Sequence, residues 1–253
     1  GSSWTEVSDM ATARGELGAA GYTSVITSLA FGGAPSYKNQ TEEWAFTGLP
    51  PSTPSADYAD AIIGDFYYNS TTGQFKNIGT GVGTWASGGA TNTARTHGGG
   101  AGNSNSANLF FGGQSPPSNT TRAYTETYDG TSWTEVGDLN EVQHYISGTG
   151  SSTAAITAGG NRPSGDNSVN AETWDGSSWT EVANLNVGRN GVALFGTSTS
   201  AIGVSGYTPA TSPNYSLNVE QWNGSAWTEI AEVNTGGYGA SAAGTSVSAG
   251  LKM

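Results

Sequence analysis

The residues able to do chemistry are few. Cysteine is absent, which removes thiol nucleophiles, thiolate metal ligands and disulfides together. Histidine occurs twice, at His97 and His144, with no H-x-H or H-E-x-x-H spacing, so a metal site or a general base built on them needs a partner from elsewhere in the chain. Asp57, Asp60 and Asp65 miss the spacing of a calcium loop and read as a solvated acidic segment. No Ser-His-Asp order, phosphate-cradling loop or paired acid site stands out. The sequence therefore predicts no catalytic residue, no metal and no cofactor.

Charge narrows the partners. Twenty acidic residues against eight basic ones give a net charge of −12, which repels a phosphate backbone, so nucleic acid is not expected. No apolar run approaches the roughly 20 residues that cross a bilayer, and no basic segment followed by an apolar one opens the chain. No membrane insertion is expected. The chain opens with GSSW rather than Met, which reads as a processed or trimmed piece.

The elements that must position these residues are written as a repeat. WTEV at Trp4 returns at Trp133 and Trp179, and as WTEI at Trp227. With Trp85 the spacings are 81, 48, 46 and 48. Arg14, Arg95 and Arg189 each lie ten residues after a Trp, and the same offset lands on Gln143 and Gly237. The long spacing is thus one unit of about 47 residues plus an insertion of about 34, placed at 49–82.

Each unit also carries an apolar run ending in Gly (SLAFGG, LFFGG, AAITAGG, AIGVSG) and an alternating run before the Trp (TEEWAF, YTETYDG, AETWDG, VEQWNG). Asp-Gly and Asn-Gly favour tight hairpin turns into the Trp strand. Together with Gly- and Ala-rich first strands, every unit predicts four short antiparallel strands, and a period of 40 to 50 residues with four strands marks a propeller blade. One such sheet cannot bury its own faces, so the sheets must pack radially, with small side chains near the axis and each Trp wedged between neighbours. Alternation along WTEV predicts an outer strand packed on both sides.

The fold expected is a single all-β domain over 1–253, a five-bladed ring in which the N-terminal strand joins the last unit. That last unit stops at SAGLKM, short of its Gly doublet and third strand. The insertion is expected to carry a hairpin, Phe66–Tyr68 with Gln74–Ile78, and to project as an anchor to a neighbouring subunit.

These landmarks resemble kelch-repeat β-propellers over nearly the whole length. More narrowly, GDFYYNSTTGQFKNIG, GTWASGGATNTAR and LNVGRNGVALFGTSTSAIGVSGY are similar to kelch-like repeat proteins of marine tailed phages, in which runs like WNGTSWTEV recur. That resemblance implies a non-catalytic structural or binding module, an exposed virion component of decoration or fibre type. Its partners would be other virion proteins or a cell-surface glycan, and its location extracellular, on the virion surface. The copper oxidase built on kelch repeats needs a Cys-linked Tyr, which this chain cannot supply. The D-G-x-x-W runs are one residue shorter than the Asp-box of sialidase-type propellers. The alternative reading is a secreted carbohydrate-active enzyme or a lectin of propeller fold.

In four-stranded antiparallel blades the loops joining strands 2 and 3 share a face with those leading from strand 4 into the next unit. The 2–3 loops here are long and all different (APSYKNQ, QSPPSNTTRA, NRPSGDNSVN, YTPATSPNYSLN), whereas the opposite loops are short and uniform. Variable loops on a rigid scaffold carry recognition. The candidate binding residues gathered there are Arg14, Tyr37, Arg95, His97, Arg122, His144, Arg162, Arg189, Tyr207 and Tyr215, through charge-assisted bonds and stacking. For Arg14, Arg95 and Arg189 the competing role is bonding carbonyls at the channel mouth.

Overall fold

The computed structural model describes residues 18–20, 27–31, 41–46, 66–69, 74–77, 83–209, 214–239, 242–246 and 249–252. Among them every regular element is a strand. In chain order these are β1 (Gly18–Ala20), β2 (Thr27–Phe31), β3 (Thr41–Phe46), β4 (Phe66–Asn69), β5 (Gln74–Asn77), β6 (Gly83–Ser87), β7 (Gly99–Ser104), β8 (Ala107–Phe111), β9 (Gln114–Ser115), β10 (Thr120–Thr121) and β11 (Thr125–Tyr128). There follow β12 (Trp133–Glu135), β13 (Ser147–Ser151), β14 (Ala154–Ala158), β15 (Ala171–Trp174), β16 (Trp179–Val182), β17 (Ala193–Thr197), β18 (Ser200–Val204), β19 (Asn218–Trp222), β20 (Trp227–Glu232), β21 (Ala242–Ser246) and β22 (Ala249–Lys252).

Four antiparallel four-stranded meanders result: β1-β2-β3-β6, β7-β8-β11-β12, β13-β14-β15-β16 and β17-β18-β19-β20. Strands β21 and β22 form a further hairpin. The first strands of successive sheets are neighbours, β1 beside β7, β7 beside β13, β13 beside β17, and β17 beside β21. This succession fits a propeller-like β fold. The segment Trp4–Val7 and the closure expected of it lie outside the described residues.

The anomalous Trp spacing is resolved as an insertion between the third and fourth strands of the first sheet. Strand β3 pairs with β6 in the register Trp44↔Trp85, matching Trp174↔Trp179 and Trp222↔Trp227. Between them β4 and β5 pair as a separate hairpin, Phe66–Asn69 with Gln74–Asn77, one residue from the expected limits.

Packing explains the composition of each strand. Trp179 reaches back to the preceding sheet, where its ring meets Phe111 edge-on at 4.8 Å and its Nε1 donates to Thr125 Oγ1 at 2.9 Å. Trp133 makes the same bond to Thr41 Oγ1 at 2.9 Å. Both indoles are 5% exposed, so each is a wedge whose truncation to Ala costs about 3–5 kcal/mol. The first strands must be small because the neighbouring sheet presses on them: a Cβ on Gly148 would come within 2.3 Å of the Phe111 ring. After β8, β14 and β18 the chain turns through positive φ, at Gly112-Gly113, Gly159-Gly160 and Ser205-Gly206. Glycine adopts that conformation without steric cost.

Two local expectations change. The D-G turns are four-residue connections, in which Asp129 Oδ1 accepts from the backbone N–H of Thr131 and Ser132 at 2.8 Å each, and Asn223 does the same for Ser225 and Ala226 at 2.9 Å. The side chain closes the turn, and only the following Gly takes positive φ. In the matching turn of the third sheet the backbone N–H groups of Ser178 and Ser177, with the Ser177 hydroxyl, donate to Asp175 Oδ1 and pull its carboxyl down to about 2. The outer strands are not packed on both sides either: in WTEV of β16 Trp179 is buried, Thr180 and Glu181 are exposed and Val182 is half-buried. The outermost strand thus buries only its Trp wedge, and the exposed Thr and Glu blunt the edge.

Candidate functional site

A bonding pattern recurs where β6, β12 and β16 hand over to the next sheet. Seven residues after the Trp stands an Asn whose backbone N–H and Nδ2 both donate to a Glu two residues before the aromatic of the next third strand. Asn92 serves Glu126 (2.7 and 3.0 Å), Asn140 serves Glu172 (2.9 and 2.8 Å) and Asn186 serves Glu220 (2.9 and 2.6 Å). Each Asn Nδ2 also donates to the carbonyl of the following sheet's Trp. This links consecutive sheets through side chains.

Arg95 and Arg189 complete the pattern, and of the two roles the sequence offered them they take the carbonyl-bonding one rather than that of surface ligand-binders. Both are 0% exposed. Arg95 Nη2 donates to Glu126 Oε1 at 2.6 Å and its Nη1 to the carbonyls of Gly112 and Tyr124, with the guanidinium 4.2 Å from the Phe110 ring centroid. Arg189 Nη2 donates to Glu220 Oε1 at 2.7 Å and its Nη1 to the carbonyl of Asn218. A buried guanidinium needs a carboxylate, and the repeat supplies one from the adjacent third strand. Arg14 and Tyr37 lie outside the described residues.

The third unit departs from this pattern. Gln143 stands at the Arg position, and Glu172, buried with no guanidinium beside it, has its carboxyl pushed up by desolvation. Gln143 Nε2 donates instead to Glu141 Oε2 at 3.1 Å and to Ser168 Oγ at 3.3 Å. Glu141 in turn clamps Arg162, which donates through Nε at 2.5 Å and Nη2 at 3.2 Å. The 2–3 loop of this sheet is thereby pinned to its entry loop.

Between that loop and the β9–β10 hairpin opens a cleft of about 400 Å³, lined chiefly by Gln114, Thr120, Thr121, His144, Asn161 and Arg162. Two of the expected binding residues, His144 and Arg162, thus meet in one site. Thr121 Oγ1 and His144 Nδ1 are 3.3 Å apart. Burial, then the nearby His97, lower the His144 pKa to about 4, so its imidazole is neutral at physiological pH. Arg122 does not line the cleft. Its Nε donates to Ser115 Oγ at 2.7 Å and its guanidinium lies 5.4 Å from the Tyr124 ring centroid, so it braces the hairpin from behind.

Beside the cleft runs a chain of rings: His97 to Tyr145 (4.0 Å), His144 to Tyr145 (4.9 Å), Tyr145 to Tyr238 (5.5 Å), Tyr238 to Tyr207 (6.1 Å) and Tyr207 to Tyr215 (6.3 Å). Tyr215 and Tyr238 are 39% and 44% exposed. Twelve residues after Trp85, Trp133, Trp179 and Trp227 the backbone is left-handed, at His97 (φ 57°), Tyr145 (51°), Gly191 (62°) and Gly239 (63°). Glycine meets that need in two units; in the other two an aromatic is held there at a cost of about 1–3 kcal/mol.

Sequence reasoning missed Tyr145, Tyr238, Gln114 and Asn161. A signal was present: eleven and twelve residues after Trp133 stand His144 and Tyr145, eleven after Trp227 stands Tyr238, and Gln114 and Asn161 directly follow Gly doublets. Among the described residues no group of three or more His, Asp and Glu is arranged to hold a metal. No protein-family profile matches the chain, and no curated protein matches it.

Proposed function

We propose that the chain is a non-catalytic recognition module, a five-bladed kelch-like propeller closed by its N-terminal strand and carried on the outside of a phage particle. Its variable 2–3 loops and the entry loops beside them contact a cell-surface glycan or a partner protein. One observation carries this reading: Arg95 and Arg189, which keep the repeat register, are spent on buried ion pairs inside the fold, while in the unit where Gln143 replaces that Arg, His144 and Arg162 line a cleft between two variable loops, with the Tyr145 ring against His144. A scaffold alone would need no such departure.

The succession of neighbouring first strands supports the ring, and the resemblance to virion kelch-like proteins supports the location. The exposed ring of Tyr215, in contact with Tyr207, supplies a stacking surface on the same face. The test is binding of the purified chain to a glycan array and to candidate host cells, comparing wild type with the Tyr207→Ala/Tyr215→Ala double variant. Loss of binding with unchanged thermal unfolding is expected. Binding equal to wild type would remove this face from the account.

A further inference from the structure

We infer that the cleft between the β9–β10 hairpin and the 161–165 turn is a subsite for an uncharged saccharide unit. The inference rests on the recognition reading above and specifies what that face takes.

The first argument is the state of the lining groups. The Gln114 amide and the Thr120 hydroxyl make no hydrogen bond to any described residue. Arg162 is held through Nε and Nη2, which leaves Nη1 uncommitted. Asn161 donates through Nδ2 to the Gly165 carbonyl at 3.1 Å and to Asn167 Oδ1 at 3.2 Å, so its own carbonyl oxygen remains an acceptor. Amides and hydroxyls offering donors and acceptors side by side match vicinal sugar hydroxyls, each of which is both.

Charge gives the second. Arg162 is the one cation of the lining, and the Glu141 carboxylate already neutralises it. The His144 imidazole is uncharged at neutral pH. A carboxylated or sulfated ligand would compete with Glu141 for the guanidinium, whereas a neutral hydroxyl takes the free Nη1 without disturbing the pair.

Rigidity and size give the third. One wall is braced by Arg122 against Ser115 and by the Arg122 N–H to Gly113 carbonyl bond of 2.8 Å. The other is closed by Arg162 N–H to the Asp166 carbonyl and Gly165 N–H to the Arg162 carbonyl, 2.9 Å each. Preformed walls reduce the ordering cost of binding. A cleft of about 400 Å³ lies at the small end of the roughly 300–1,000 Å³ of ligand sites, which suits one or two sugar rings. The His144 ring at its edge leads into Tyr145 and Tyr238, where a following residue of a chain can stack.

The experiment is saturation-transfer NMR with calorimetry on the whole chain. The probes are methyl glycosides of glucose, galactose, mannose and N-acetylglucosamine, next to glucuronic acid and N-acetylneuraminic acid. At least one neutral glycoside is expected to bind at millimolar concentration, about tenfold or more tighter than either acidic sugar. Gln114→Ala and Thr120→Ala, whose side chains make no hydrogen bond to any described residue, are expected to weaken it about tenfold with melting unchanged. Binding of acidic sugars alone, no binding of any neutral glycoside, or wild-type affinity in both variants would overturn the inference. If cell binding is lost in the Tyr207/Tyr215 variant while no glycoside occupies the cleft, the recognition face stands and the subsite falls. If glycosides bind but cells and array do not, the reverse holds.

Discussion

At the scale of single residues, Glu126, Glu172 and Glu220 occupy one register but differ in company. Glu126 and Glu220 each face a buried Arg at 2.6 and 2.7 Å, and removing one partner of a buried pair leaves the other charge stranded. Glu172 has only Asn140 and the surrounding backbone. Glu220→Gln is therefore expected to lose about 3 kcal/mol or more in urea unfolding, and Glu172→Gln to change stability by no more than about 1 kcal/mol. The pH dependence has a definite sign. Because burial raises the Glu172 pKa, the stability it permits is complete below the ordinary glutamate pKa of 4.5 and is lost as pH rises through the raised value. Glu172→Gln should thus gain on wild type as the solution goes from pH 4 towards pH 7; a constant difference would refute the account of that carboxylate.

At the scale of the strand and sheet, the Trp wedges share a donor that needs an acceptor. Trp133 and Trp179 find Thr41 and Thr125. Trp227 meets Ala171 at the same register, and its Nε1 is buried without a partner. Ala171→Thr should supply the hydroxyl and raise stability by about 1 kcal/mol, while Thr125→Val should lower it by about 1–3 kcal/mol by orphaning Trp179. Calorimetric unfolding of both variants checks this, and opposite signs for the two are the diagnostic result. Much at this scale was legible beforehand. The Trp spacing, the Gly doublets and the alternating runs located the strands of four sheets and the insertion hairpin, because side-chain period and turn chemistry are local properties. The shape of the D-G turns was less legible, since a two-residue and a four-residue connection use the same dipeptide. What decides between them is the cross-strand register Tyr128↔Trp133, a pairing that local sequence does not state.

For the whole molecule, the legible part was the all-β succession of four-stranded antiparallel sheets whose first strands are neighbours. The site was only half legible. The sequence placed ten residues on one face, of which His144 and Arg162 line one cleft, and it left Arg95 and Arg189 two roles, ligand binding or bonding carbonyls, of which the second is the one observed. Their burial depends on a carboxylate contributed about 31 residues later, Glu126 and Glu220, and a long-range pairing of that kind leaves no local trace. The repeat itself separates the two classes: Arg at ten residues after the Trp holds the fold, and Gln143 at that offset marks the unit in which other residues build a cleft. Residues that obey the repeat and residues that break it should therefore fail in different ways.

A single alanine scan read out twice tests this most directly, with thermal unfolding and glycan-array binding measured on the same purified variants. Substitution of Arg95, Glu126, Trp179, Arg189 or Glu220 should lower the melting temperature while the fraction still folded binds as wild type. Substitution of Gln114, Thr120, Tyr207 or Tyr215 should abolish or weaken binding at an unchanged melting temperature. If binding instead survives every substitution on the loop face, or falls only in proportion to lost stability, the division between scaffold and recognition surface is wrong.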